Sequence, residues 1–144
     1  MKQRPVALLL LAVMIVSVVS AAAATTAAAP PKRLATPQLV APRNNAIVPL
    51  SPPTTFKWKA VRGTTSYRME LQKATRDTSN PRIIRWTGSA RIISGASVGF
   101  GFAQLGAYRW RITALSSNPS LNSAPSAWRY FTVRSITPLP TPGH

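Results

Sequence analysis

The sequence predicts an all-β protein, an antiparallel β-sandwich of about seven strands spanning residues 37–136, after an N-terminal signal helix. Three observations carry this reading. Apolar and polar residues alternate in short runs, turn residues recur every 8 to 12 positions or so, and no part of this stretch keeps a helical period.

The elements follow in order along the chain. Gln38-Leu39-Val40 is a short first strand, closed by Ala41-Pro42 and a turn at Arg43-Asn44-Asn45. In the run from Thr55 to Lys59, Phe56 and Trp58 share one face and Lys57 and Lys59 the other. Arg62-Gly63-Thr64 makes a turn. Tyr67, Met69 and Leu71 then alternate with Arg68, Glu70 and Gln72. Asp77 to Pro81 reads as a loop, Arg82 to Trp86 as a strand, and Thr87-Gly88-Ser89 as its end. Val98, Phe100 and Phe102 share a face. Tyr108, Trp110 and Ile112 alternate with Arg109, Arg111 and Thr113. A polar loop runs from Ser116 to Pro125, and the last strand is expected over Ala127 to Arg134. Four Trp, three Tyr and four Phe, nearly all on these strands, supply a core without disulfides.

The ends of the chain read differently. Met1 to Arg4 is positive, Val6 to Val19 is apolar, and small residues follow through Ala24. This is the plan of a cleavable signal peptide at 1–24, so the expected location is secreted or periplasmic. A-x-A sites can be read at Ala21 to Ala23, Ala22 to Ala24 or Ala27 to Ala29. The alternative is an uncleaved N-terminal membrane anchor, the one membrane contact the sequence suggests. Residues 25–36 read as a linker, and 137–144, with Pro at every second position, as an extended tail.

Several of these residues resemble a family. Phe56-Lys57-Trp58, a turn, and Ser66-Tyr67-Arg68-Met69-Glu70 look like strands B and C of a fibronectin type III domain. Leu105-Gly106-Ala107-Tyr108 followed by Arg109 to Ala114 looks like its E–F corner and strand F. Ser126-Ala127-Trp128 and Phe131-Thr132-Val133 look like strand G. The resemblance implies an immunoglobulin-like sandwich, a tyrosine corner at Tyr108, and strands C, F and G side by side in one sheet. It leaves the register of Ala90 to Ala96 open. It lends little to function, because the family is mainly one of binding and spacer modules. Ser123 to Trp128 is also loosely similar to the Trp-Ser-x-Trp-Ser box of cytokine receptors, without its first Trp, which implies no more than an Arg–Trp stack.

Composition narrows the chemistry. The chain has 144 residues, 18 Lys plus Arg against 2 Asp plus Glu, one His and no Cys, for a formal charge of +16. Cleavage after Ala24 would leave 16 basic residues against 2 acidic, a charge of +14. Thiol chemistry and disulfides are excluded. Glu70, Asp77 and His144 are the only candidate metal ligands, and a paired-carboxylate mechanism would have to use Glu70 and Asp77 together. Glu70 reads as a cross-strand partner for an Arg of strand F. Asp77 reads as a turn cap, and His144 ends the tail. The expectation is therefore no enzyme, no cofactor and no metal.

Strand parity yields a candidate surface. If Tyr67, Tyr108, Trp110, Phe131 and Val133 point inward, the outer face of strands C, F and G carries Arg68, Arg109, Arg111 and Arg134, interleaved with Trp128 and Tyr130. Arg129 breaks the pattern by turning inward, unless a bulge intervenes. The expected function is a basic, non-enzymatic binding module of the cell envelope. Its partner would be an anionic polysaccharide, lipid head groups or an acidic protein. The alternative is a structural spacer or assembly subunit, with the charge reflecting solubility or a GC-rich genome. Nucleic-acid binding fits the charge and aromatics, but the export signal argues against it.

Overall fold

The computed structural model describes residues 29–136. The expected signal segment and the Pro-rich tail lie outside the described residues. The described chain forms eight strands: β1 (Leu39–Ala41), β2 (Ala46–Pro49), β3 (Thr54–Trp58), β4 (Ser66–Arg76), β5 (Ile84–Ile93), β6 (Ser97–Phe100), β7 (Gly106–Leu115) and β8 (Arg129–Arg134). One 3-10 turn at Pro119–Leu121 interrupts the loop before β8.

The strands make two sheets. The smaller has the order β1-β3-β6 and the larger β2-β8-β7-β4-β5. The fold is thus the expected all-β sandwich, and β4, β7 and β8 are neighbours in the larger sheet. The parity reading holds on β3, β4, β7 and β8. Phe56 and Trp58 of β3, Tyr67 and Met69 of β4, Tyr108, Trp110 and Ile112 of β7, and Phe131 and Val133 of β8 are all buried. Phe56 meets Trp110 edge-on at 4.9 Å, which joins the two sheets at the centre of the core.

Two tyrosines pin the corners. Tyr108 Oη donates to the Gln104 carbonyl at 2.9 Å, which is the corner bond the resemblance implied. Leu105 beside it is exposed rather than packed. Tyr67 Oη accepts from the Val61 amide at 2.8 Å. The folded unit takes in part of the segment expected as a linker, since Leu34 packs against the core and its amide donates to the Leu121 carbonyl at 2.9 Å.

Three expectations need correction. First, β2 was not foreseen, and it pairs parallel to β8, with Ala46 opposite Phe131 and Val48 opposite Val133. Asn45, at φ 60°, turns the chain from the smaller sheet into the larger. Its amide donates to the Tyr130 carbonyl at 2.7 Å.

Second, β5 does not end at Thr87-Gly88-Ser89. It pairs with β4 from Ile84 opposite Arg76 through to Ile93 opposite Tyr67. Gly88 serves close approach of the strands, because a Cβ there would collide with the Leu71 carbonyl oxygen.

Third, Arg129 turns inward without a bulge, in register with Trp110. Its guanidinium donates to the Leu39 carbonyl at 2.9 Å and the Pro42 carbonyl at 3.1 Å, tying β8 to the β1 end of the other sheet. Burial pulls its pKa down.

Candidate functional site

The outer face of the larger sheet carries the chain's densest array of cationic and aromatic side chains. Register places Gln72, Arg109 and Tyr130 in one row across β4, β7 and β8, and Glu70 opposite Arg111 in the next. These side chains form a stack. Arg111 Cζ lies 4.3 Å from the Trp128 ring centroid. Arg109 sits between two indoles, with Cζ 4.2 Å from Trp128 and 4.5 Å from Trp86. Trp86 then meets Tyr130 edge-on at 5.7 Å. The order is Arg111, Trp128, Arg109, Trp86, Tyr130. Each cation–π contact on such a surface is worth about 0.5–1 kcal/mol.

Hydrogen bonds fix the guanidinium planes. Arg109 Nε donates to Gln72 Oε1 at 2.8 Å. Arg111 donates from Nε and Nη2 to the two Glu70 oxygens at 2.7 and 3.0 Å. That pair holds the Glu70 carboxyl below its ordinary pKa, against a smaller opposing effect of burial. In turn Glu70 raises the pKa of Arg111. Arg109 has a neutral partner, so its charge is not offset by an ion pair.

Trp128 reaches the stack from just before β8, in a segment that β7 anchors. Ser126 Oγ accepts from the Ile112 amide at 3.1 Å, and Ser123 Oγ accepts from the Ala114 amide at 2.8 Å. The Ser126 and Ser123 amides donate back to the Ile112 and Ala114 carbonyls. Two serines three residues apart thus take the place of strand pairing and present Trp128 beside Arg109 and Arg111.

The structure gathers four of the six expected site residues, Arg109, Arg111, Trp128 and Tyr130. Arg68 is on the same face, one outward position along β4 from Glu70, and exposed. Arg134 is exposed at the end of β8, beyond Thr132. Neither enters the stack. Alternation puts Gln72 on the outer face without giving it a role, and Trp86 and the two serines go unrecognised in the sequence. Trp86 was findable: continuing β5 through Gly88 puts it opposite Ala74 and on the outer face.

Both acidic residues are spoken for. Asp77 accepts from the Ser79 hydroxyl, pairs with Arg85 at the β4–β5 turn, and accepts from the Ser79 and Asn80 amides. These bonds, the Ser79 hydroxyl first, hold its pKa down at about 2. Among the described residues, no three His, Cys, Asp or Glu come together, and no helix is long and apolar enough to cross a membrane.

No protein-family model matches the chain, and no curated protein matches it. Among solved structures it is similar to the solution structure of the fn3 domain of human collagen alpha-1(XX) chain. The identity is 17%, with a TM-score of 0.47, covering 81% of this chain and 99% of that one. The sandwich itself follows from the strand order and register given above.

Proposed function

We propose that this protein is a non-enzymatic binding module, secreted or associated with the cell envelope, that contacts an anionic partner through the outer face of its larger sheet. The observation that supports this most is the Arg111–Trp128–Arg109–Trp86–Tyr130 stack. A guanidinium carries five donors, and Arg109 uses one of them on Gln72. Its remaining edge suits the forked recognition of sulfate, phosphate or uronate groups. Indole planes on either side hold it in one orientation, which lowers the entropy lost on binding. The long-range field favours the same class of partner: the formal charge is +16, and both side-chain carboxylates are already paired.

The test separates a shaped site from bulk charge. Dextran sulfate and polygalacturonate binding is compared for Arg109→Ser/Arg111→Ser and for the exposed control pair Arg62→Ser/Arg82→Ser, at two salt concentrations. The outer-face pair should weaken binding about ten-fold more than the control. Equal losses would mean that net charge alone attracts polyanions, and would leave the spacer role as the better reading.

A further inference from the structure

We propose that β5 is a strand-addition site for an extended, acidic segment of another protein, engaged through its main-chain edge and its inward side rather than through the outer-face stack to which its Trp86 belongs. β5 is ten residues long and ends the sheet order, with β4 on one side and no strand on the other among the described residues. Eight of its residues are exposed, and only Trp86 and Ile93 are half-buried, so it projects past the cover of the smaller sheet. A long open edge presents a row of main-chain donors and acceptors to an incoming strand. Two inward arginines, Arg85 and Arg91, guard the ends of this edge, but Ile84–Ile93 contains no Pro and its centre is Thr87-Gly88-Ser89-Ala90, with no bulky side chain.

A second feature says what the added strand would carry. On the side facing the sandwich, Thr87 and Ser89 border a cleft of about 460 Å3 floored by Leu71, Phe100 and Phe102. One or two apolar side chains from a neighbouring strand would fill it. Arg85 and Arg91 stand on the same side of β5, flanking that centre six residues apart, and Arg91 Cζ is 5.8 Å from the Phe100 ring centroid. Asp77 already pairs with Arg85, so Arg91 is the cation of this edge left without a carboxylate among the described residues. The fitting sequence therefore alternates, with apolar residues facing the cleft and an acidic residue at one end meeting Arg91. A second copy of this chain fits poorly. Antiparallel pairing about Gly88 would set Arg85 against Arg91 twice, with Asp77 offsetting Arg85 and no carboxylate offsetting Arg91.

The probe is a heptapeptide of alternating valine and threonine with a glutamate at each end, its termini blocked, added to the full chain. Binding is read by amide hydrogen exchange and by titration calorimetry. Slowed exchange confined to Ile84–Ile93 is expected. Replacing the peptide's central threonine with proline should abolish binding, because a main-chain donor is lost. Lysine in place of the glutamates should abolish it as well. On the protein, Arg91→Glu should weaken binding about ten-fold, while Arg109→Ser/Arg111→Ser should leave it within about two-fold. The last comparison keeps this proposal distinct from the outer-face reading. Equal binding of the valine and proline peptides would overturn strand addition. So would protection that grows with protein concentration in the absence of peptide, which would mark a pairing of copies.

Discussion

Glu70 and Arg111 face each other across β4 and β7 as a two-bond ion pair, at 2.7 and 3.0 Å. This pair divides the two central arginines of the stack. Arg111 is offset by a carboxylate, whereas Arg109, beside it, is held by the neutral amide of Gln72. Arg109 is therefore the stronger point of attraction for an anion.

Glu70→Gln should accordingly act in two directions. Folding stability should drop by about 1 kcal/mol, the size of a charged hydrogen bond tempered by solvent. Polyanion affinity should rise by a few-fold, because the Arg111 charge is released. Urea denaturation and a dextran sulfate titration read the two effects on the same sample.

Stability should hold steady from neutral pH down to about pH 5 and fall progressively below it. Glu70 and Asp77 both have folded pKa values pulled down, Glu70 by Arg111 and Asp77, to about 2, by Ser79, Arg85 and Asn80. A depressed carboxyl stabilises the fold above its unfolded pKa, and that contribution is lost as pH falls through the folded pKa. Thermal melts across pH 2 to 8 or so check this. Glu70→Gln should flatten part of the acid limb.

Trp58→Ala should cost about 3–5 kcal/mol. The indole is buried, 5.3 Å from the Tyr67 ring and 6.4 Å from that of Trp110. Chemical denaturation measures the loss, and a variant melting within a few degrees of the parent would contradict its place in the core.

Arg129→Ala should cost about 2 kcal/mol, through two carbonyl partners left without a donor. Arg134→Ala, at an exposed strand end, should stay within about 0.5 kcal/mol. The comparison uses the same denaturation assay and separates the inward arginine from the outward one.

Much of this architecture was legible because alternation with a period of two survives in a sequence whenever one face is buried. Phe56 and Trp58, or Tyr108 and Trp110, declare their strands and their inward side at once. The tyrosine corner, the turn at Asp77 and the partner of Glu70 were legible for the same reason, since each follows from a residue type at a fixed point on a strand or turn. β2 was not legible: four residues ending in Pro49 carry too short a pattern, and their pairing is set by β8 far along the chain. Gly88 was read as a terminator when it is a close-approach residue, and that error hid Trp86. Arg129 looked like a violation because its two acceptors come from β1 and the turn after it, which no local pattern reveals.

The most direct measurement of the central claim is a titration of the protein with a sulfated oligosaccharide, followed by nuclear magnetic resonance of the indole and guanidinium N–H groups. The Trp86 and Trp128 Nε1–H and the Arg109 Nε–H signals should move first and together, while the Trp58 and Trp110 signals and those of the exposed Arg43 and Arg62 stay in place. Shifts spread evenly over the exposed arginines, with the Trp86 and Trp128 signals unmoved, would contradict the claim.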